Sequence, residues 1–244
     1  MLDAWSNFQD DFDFNYFSGH YAPCIQNKID PRHFQDGTIQ IDCKKLVEFI
    51  RKKIGHRITY IESTVVEVNR DGSDITSLNL KNGQEIFGDI YFDCTGFKSL
   101  LKEERDLVDL SDRLYCDTAI AGHVPYWDRE LEMHPYTRCT AVDHGWVWTI
   151  PLQSRMGSGL VFNRGITDVD EAKDYFVNYW SNRIDRDSLK VIDWTPYYDK
   201  TPWVGNVISI GLSSGFIEPL ESTGLALMIE GIAGALEILK GRFY

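Results

Sequence analysis

The sequence predicts an α/β protein with α+β character, in which mixed or antiparallel sheets are flanked by helices. Short segments alternate apolar and polar residues between turn pairs such as Asp71-Gly72 and Asn82-Gly83, as strands joined by hairpins do. Longer segments instead repeat apolar residues at the spacing of one helix face. A chain of 244 residues is long enough to bury a sizeable core around these elements.

The first half of the chain is predicted to contain one helix and a run of hairpins. Residues 1–38 are aromatic and polar with little periodicity, so we expect an irregular start. Residues 42–54 carry an apolar helical stripe, with Asp42 as the N-cap and Gly55 as the stop signal. The alternating segment that follows predicts three or four short strands, the last of which is the buried strand IYFDC at residues 90–94.

The second half is predicted to alternate between strands and helices. Four strands are expected at residues 117–123, 137–142, 146–150 and 159–162. Asp168 heads a second helix, which places Ala172, Tyr175, Phe176 and Tyr179 on one face. A strand at residues 207–210 and a helix from about Thr223 to Lys240 complete the predicted order.

Composition and charge exclude several classes of function. The net charge of -12 argues against a general nucleic-acid binder, because phosphate contacts need a basic surface. The five cysteines are scattered and the six histidines lack metal-binding spacing, so we expect neither a disulfide framework nor a metal site. The acidic start and the lack of a long apolar run predict a cytoplasmic protein.

The segment GDIYFDCTGF at residues 88–97 is the first candidate site. Its buried strand ends in Asp93 and turns through Thr95 and Gly96, and a carboxylate followed by glycine suits close approach of the backbone to a ligand. The alternative is an ordinary strand-to-helix junction in which Asp93 forms an Asx-turn.

The segment GWVWTIP at residues 145–151 is the second. Strand alternation places Trp146, Trp148 and Ile150 on one face and Val147 and Thr149 on the other. This tryptophan face either packs in the core or forms a rigid wall beside a flat aromatic ligand.

The segment ISIGLSSGFIEPLESTGLALMIE at residues 208–230 is the third. It runs from an apolar strand through a Gly/Ser turn and a carboxylate-bearing elbow into an apolar helix. The order sets Glu221 beside the N–H groups of the first helical residues, Ser222, Thr223 and Gly224, where a small anion is favoured. Alternatively Glu221 merely complements the helix dipole, and Ser222 or Thr223 is a plain N-cap.

Taken in order, DCTGFKSLL, GWVWTIP and WVGNVISIGLSSGFIEPLESTG resemble the flavin-dependent tryptophan halogenase family from about Ile39 to Glu230. The pairing of WxWxIP with PLESTG separates this family from related flavin monooxygenases. The resemblance implies a flavoprotein monooxygenase-like FAD-binding fold, incomplete in this chain.

The resemblance also implies a role for each motif residue. Glu221 and Ser222 would be catalytic, Thr223 and Gly224 would bind the halide through their amides, and Trp146, Trp148 and Ile150 would keep organic substrate away from the flavin. The residues that would bind the cofactor are Asp93, Thr95, Gly96, Gly211, Ser213, Pro219 and Leu220.

In such enzymes reduced FAD, supplied by a separate flavin reductase, reacts with oxygen and chloride or bromide to give hypohalous acid. This oxidant then passes to a lysine and halogenates tryptophan or another indole-type aromatic. The small aromatic substrate and the reductase are therefore expected partners, together with a complementary polypeptide or a second copy of the chain.

The chain also departs from the family pattern. No residue before Ile39 shows the GxGxxG loop or the tunnel lysine, and we expect the C-terminal helical part that follows the PLESTG helix in the family to be absent. We therefore expect one partial halogenase domain over residues 1–244, with FAD-binding parts at 39–113 and 201–244 and a substrate-side sheet and helix at 114–200. This partial domain is expected to need the missing segments for activity. The alternatives are that the chain is a non-catalytic binding module of the same fold or a fragment of a flavin monooxygenase.

Overall fold

The computed structural model describes residues 40–243, apart from the side chains of residues 221, 242 and 243. The irregular start predicted for residues 1–38 lies outside this range. The helices are α1 Cys43–Ile54, α2 Arg129–Glu132, α3 Val169–Tyr179 and α4 Thr223–Phe243. The strands are β1 Val65–Asp71, β2 Asp74–Leu80, β3 Glu85–Ile86, β4 Tyr91–Asp93, β5 Leu107–Asp109, β6 Thr118–Val124, β7 Arg138–Val142, β8 Gly145–Pro151, β9 Met156–Phe162, β10 Lys190–Asp193, β11 Tyr197–Asp199, β12 Trp203–Val204, β13 Val207–Ser209 and β14 Gly215–Phe216.

The described part of the chain divides into two compact units, and the first comprises residues 40–53, 119–162 and 167–191. Its main feature is a five-stranded sheet in the order β10-β6-β9-β8-β7. The apolar face of α3 covers a core in which Phe162 and Phe176 are fully buried. This packing holds the β8–β9 hairpin, and with it the tryptophan motif, on a rigid support.

The second unit comprises residues 54–118, 163–166 and 192–243 and contains three small sheets. The hairpin strands β1, β2 and β3 form the first sheet, and β14, β11 and β5 form the second. The third has the order β12-β13-β4, with β13 antiparallel to β12 and parallel to β4. The parallel pair is the part that positions the candidate site.

The predicted α/β class with mixed sheets is confirmed, and its local signals account for the helix starts. The Asp42 carboxylate accepts hydrogen bonds from the N–H groups of Lys44 and Lys45, at 3.1 and 3.4 Å. The Asp168 carboxylate accepts one from the N–H of Asp170 at 2.8 Å. Each satisfies donors that a helix N-terminus leaves unpaired, so both predicted caps are correct.

Helix α4 exposes an unusual amount of apolar surface. Its inner side packs Ala235 against Ile208 and Ile210 of the third sheet region. Six other apolar residues of this helix are each more than 40% exposed, namely Leu225, Leu227, Ile229, Ile232, Leu236 and Ile238. A helix that is hydrophobic on all sides is normally covered by other elements. Nevertheless, α4 is not long and apolar enough to cross a membrane, and neither is any other helix among residues 40–243.

Candidate functional site

The candidate site of the second unit lies where the parallel strands β4 and β13 end. Ser209 of β13 is in register with Asp93 of β4, and the N–H of Ile210 donates to the Asp93 carbonyl at 2.9 Å. The segments that leave the two strands therefore begin side by side. Ligands of α/β proteins commonly bind beyond the carboxyl ends of parallel strands.

The Asp93 carboxylate is fully buried and holds the turn that follows it. Its Oδ1 accepts from the N–H and the hydroxyl of Thr95, at 2.9 and 2.6 Å. Its Oδ2 accepts from the N–H of Leu101 at 2.8 Å. The bond to the Thr95 N–H is the Asx-turn that the sequence offered as an alternative.

The hydrogen bonds also decide the charge of this carboxyl group. Burial raises the pKa of Asp93, but the bonds from Thr95, Leu101 and Ser213 outweigh burial, so the pKa lies below its usual value. The ionised carboxylate is thus engaged inside the unit, and it acts on the site through the backbone that it positions.

Ser213 links the two turns. Its buried hydroxyl lies 3.1 Å from both Asp93 Oδ1 and the carbonyl oxygen of Gly96. Gly96 and Gly211 begin the two 3₁₀ turns and have φ of 76° and 66°. Because a Cβ is disfavoured at such φ values, glycine suits both positions.

Two side chains hold the far end of the 211–213 turn. The hydroxyl of Tyr197 donates to the Leu212 carbonyl, and Nη2 of Arg105 donates to the Ser213 carbonyl at 3.3 Å. The Arg105 guanidinium also lies 4.9 Å from the centre of the Tyr197 ring. Two of the three carbonyls of the turn are thereby fixed, which restricts the direction of its backbone.

A buried ion pair supports the segment after Gly96. Lys102 Nζ donates to Asp199 Oδ2 at 2.5 Å and also to the Thr201 carbonyl. The two charged side chains are only 2% and 0% exposed. The pair has no signal in the sequence, because Lys102 lies in the charged run KEER and its partner is 97 residues away.

The PLESTG elbow forms a short 3₁₀ turn, Leu220–Ser222, directly before α4. Ser222 has φ of 58°, which is unusual for a residue with a side chain. The N–H of Thr223 bonds to the Leu220 carbonyl, and so does its hydroxyl at 2.8 Å. The N–H of Thr223, the first of the two predicted halide donors, is thus already bonded within the elbow, and we call this state the closed elbow.

The start of α4, which follows the elbow, lies near the 211–216 region. Pro219 precedes the turn with φ of -82°, as the proline ring requires. Gly224 faces the Phe216 ring, since a Cβ at this position would lie 3.6 Å from it. A Cβ at Gly211 would lie 3.7 Å from Met228 of α4. The second unit therefore brings both glycine turns and the elbow together around the start of α4.

The tryptophan motif forms β8 of the first unit, and its predicted alternation is confirmed. Val147 and Thr149 are buried, whereas Trp146, Trp148 and Ile150 lie on the half-buried opposite face. The two indole rings lie 6.1 Å apart between centres. Val147 of this strand belongs to the buried core cluster, whereas Trp146 and Trp148 do not. This disfavours the interpretation that the tryptophans pack in the core.

Glycine on the neighbouring strand makes room for one of these rings. A Cβ built at Gly159 would come within 2.1 Å of the Trp148 ring and 2.6 Å of the Ile120 carbonyl oxygen. The Trp148 ring thus occupies the space that a side chain at position 159 of β9 would need. The sequence shows the glycine but not the reason for it.

Comparison with known proteins identifies the relatives of this chain. A family model described as tryptophan halogenase matches residues 20–243. A tryptophan 6-halogenase of Streptomyces albogriseolus is 33% identical over 210 residues, which cover 84% of this chain and 40% of the relative. A tryptophan 7-halogenase of Lentzea aerocolonigenes is 35% identical over 192 residues, covering 75% of this chain and 36% of the relative.

Solved structures agree with these relatives. A flavin-dependent halogenase from Xanthomonas campestris superposes with a TM-score of 0.81 at 29% identity, over 96% of this chain and 48% of that one. The chain spans about 40% of the length of the two curated relatives it matches. Since the family model matches residues 20–243, which include both turns, the tryptophan strand and the elbow, the chain belongs to the tryptophan halogenase family.

Proposed function

We propose that this chain carries part of the active centre of a flavin-dependent halogenase, which uses reduced FAD, oxygen and chloride or bromide to halogenate tryptophan or another indole-type aromatic. The observation that carries the proposal is the paired turns at Gly96 and Gly211, locked by Asp93 and Ser213 at the ends of parallel strands. In a member of this family, such a rigid backbone edge is suited to a cofactor.

The exposed surface beside these turns fits a flat cofactor. A Cβ at Gly96 would meet no atom within 4 Å, so the backbone there is open to approach. Phe97 and Leu212, the residues that follow the two glycines, are each 36% exposed and provide apolar surface. Thr95, Gly96, Gly211 and Ser213 would hold FAD through their backbone, and Asp93 would position them. When bound, FAD supplies the redox chemistry with oxygen.

The elbow supplies the proposed halide and acid–base groups. Pro219 and Leu220 would continue the cofactor-binding surface, and the amides of Thr223 and Gly224 would bind halide at the start of α4. Binding at the Thr223 amide requires the bond from its N–H to the Leu220 carbonyl to open. Glu221, supported by Ser222, would orient the oxidant or accept the proton lost from the aromatic ring.

The tryptophan strand has a proposed role of its own. Trp146, Trp148 and Ile150 would keep organic substrate away from the flavin. The rigid seating of Trp148 over Gly159 supports this role, because a barrier depends on side chains with one fixed position.

The proposed partners follow from the family and from α4. A flavin reductase would supply reduced FAD in the cytoplasm. A complementary polypeptide, or a second copy of the chain, would cover the exposed apolar residues of α4. We expect the chain alone to associate or to be poorly soluble, and light scattering that shows a stable monomer would contradict this.

The test combines the chain with a polypeptide that supplies a GxGxxG loop and a lysine. Chloride-dependent formation of halogenated tryptophan is measured by mass spectrometry, with reduced FAD and oxygen present. Flavin that stays with the protein through gel filtration is measured separately. We expect the chain alone to be colourless, because the main pyrophosphate contacts of such folds come from that loop; a yellow stoichiometric complex would refute this.

Matched variants in the elbow test the role of Glu221. We expect Glu221→Gln to abolish halogenation and to leave FAD retention unchanged. Glu218→Gln changes a carboxylate three residues earlier and is expected to leave both unchanged. Halogenation that survives in Glu221→Gln, or that is lost equally in both variants, contradicts the assigned role.

A non-catalytic module of the same fold is the second candidate. The observation that favours it is the closed elbow, in which the Thr223 N–H is already bonded to Leu220. FAD retention without chloride-dependent product, in the presence of the complementary polypeptide, would support this candidate over the first.

A further inference from the structure

A small cavity in the first unit has polar groups that the proposed halogenase chemistry does not use. It has a volume of about 140 Å³ and lies beside β8, opposite in strand alternation to the tryptophan face. Thr149 of β8, Trp180 at the end of α3, and Arg183 are among its lining residues. One water molecule needs about 10 to 15 Å³ of such space, so the cavity has room for several waters or a small ion.

Two of the residues that line this cavity carry a buried hydrogen-bond donor without a partner among the described residues. Thr149 is 3% exposed, and its hydroxyl has no hydrogen-bond partner among the described residues. The Nε–H of Arg183 is also buried and unpaired within the described part of the chain. Buried polar groups without a partner are rare in folded proteins because they cost free energy. The Thr149 hydroxyl and the Arg183 Nε–H can both donate a hydrogen bond to an oxygen atom.

The Arg183 guanidinium is held firmly in place. It lies 3.9 Å from the centre of the Trp127 ring and 5.3 Å from that of Trp180. Its Nη1 bonds to Glu132 at 2.7 Å and reaches the Pro125 carbonyl at 3.3 Å. Only 10% of its side chain is exposed. These contacts fix the direction of the unpaired Nε–H.

The charge around the cavity favours an anion. Arg138 and Arg183 both line it, and the carboxylate that faces them is Glu132. Glu132 already accepts from the N–H of Trp127 at 2.8 Å as well as from Arg183. Burial raises the pKa of Glu132, but these bonds outweigh burial and lower it. Glu132 therefore remains ionised, and its carboxylate is already engaged by Trp127 and Arg183. One of the two arginine charges is left without a carboxylate in the cavity lining.

We propose that this cavity binds a small oxyanion, in the form of a carboxylate or a phosphate group, between the Thr149 hydroxyl and the Arg183 guanidinium. Planar guanidinium groups suit both anions, and a neighbouring hydroxyl adds a third donor. The site is separate from the proposed halide site, and its occupancy requires neither FAD nor turnover. Failure of the halogenase proposal would therefore leave this one standing, and the reverse also holds.

The experiment titrates the 244-residue chain with sodium acetate or inorganic phosphate at constant ionic strength. The readouts are tryptophan fluorescence and the thermal midpoint, which rises with the concentration of a ligand that binds only the folded state. Saturable binding of either anion supports the site, and the two titrations distinguish a carboxylate from a phosphate preference. No saturable effect of either anion overturns the proposal and indicates a hydrated cavity only.

Three variants assign the binding to these residues. Thr149→Val removes the hydroxyl at nearly constant volume and is expected to weaken binding about 10- to 100-fold, while Thr149→Ser retains it. Arg183→Lys keeps the charge but removes Nε, and it should also weaken binding; this variant tests the contact independently if Thr149→Val fails to fold. Equal affinities in the Val and Ser variants, or an unchanged affinity in Arg183→Lys, would show that the anion binds elsewhere and would overturn the assignment.

Discussion

Replacement of Asp93 by asparagine tests whether the buried carboxylate acts as a lock, that is, whether the hydrogen bonds it accepts hold the two turns in place. The carboxylate offers two acceptor oxygens, and asparagine offers only one. If the amide oxygen takes the place of Oδ1, it keeps the bonds from Thr95 and Ser213. The amide nitrogen then faces the N–H of Leu101, which lies 2.8 Å from Oδ2 in the native protein. Two donors would oppose each other at this buried position.

The magnitude follows from these contacts. An unpaired buried N–H costs about 1 to 3 kcal/mol, and the bonds that remain lose the assistance of the charge. We therefore expect Asp93→Asn to lower the free energy of unfolding by about 2 to 4 kcal/mol. For a chain of this size, that corresponds to a fall of about 4 to 16 °C in the thermal midpoint.

Urea and thermal unfolding measure the effect, and Asp109→Asn is the matched control. Asp109 also accepts a hydrogen bond from the N–H two residues later, that of Ser111 at 2.8 Å. It is exposed, and asparagine forms the same Asx-turn, so its replacement should cost less than about 0.5 kcal/mol. An Asp93→Asn variant as stable as Asp109→Asn would refute the lock.

The pH dependence gives the lock a second test. The folded-state pKa of Asp93 lies below its unfolded value, so the stabilisation is present above the unfolded pKa of about 3.9. It is lost as the pH falls through the folded value. The difference in unfolding free energy between the native protein and Asp93→Asn should thus narrow as the pH falls from 5 to 3. The size of this change is set by how far the hydrogen bonds lower the pKa of Asp93. A difference that stays constant over this range contradicts an ionised lock.

Two further variants test packing and charge in the two units. Gly159→Ala should destabilise the first unit by about 1 to 3 kcal/mol and shift tryptophan fluorescence, because its Cβ would overlap the Trp148 ring. Gly157→Ala is the control, because its Cβ would lie 4.0 Å from its nearest neighbour. Lys102→Met leaves the buried Asp199 carboxylate unpaired and should cost about 3 to 5 kcal/mol, whereas the double change with Asp199→Leu should recover most of the loss. Equal stabilities for the two alanine variants, or a double variant no more stable than Lys102→Met, would refute the respective explanation.

The sequence predicts those elements whose signals are local. Asp42 and Asp168 cap their helices through N–H groups within three residues, and the alternation of GWVWTIP specifies which side chains face the core. Short strands with distant partners were not predicted. Tyr197 pairs with both Asp109 and Phe216, and a three-residue strand has no periodicity from which such partners could be inferred.

The site shows the same division between local and distant contacts. The motif DCTGF marks the turn at Asp93, but the donors Leu101 and Ser213 lie 8 and 120 residues away, so the inward direction of the carboxylate appears only in the fold. Lys102 and Asp199 gave no signal at all, because a lysine in a charged run usually lies on the surface. The motif was therefore a guide to the place of the site but not to the function of each side chain in it.

The closed elbow sets an energetic condition on the proposed halide site. A halide at the Thr223 amide has to replace the Leu220 carbonyl as acceptor, so its affinity is reduced by the net worth of that hydrogen bond. At about 0.5 to 1.5 kcal/mol, the reduction is about 2- to 13-fold relative to an elbow that is already open. The left-handed Ser222 lies within the same turn, and opening it would let this residue return to a commoner conformation, which offsets part of the cost. Any contact that holds the elbow open, whether from cofactor, substrate or a complementary polypeptide, would therefore also strengthen halide binding, because the cost of opening would already be met.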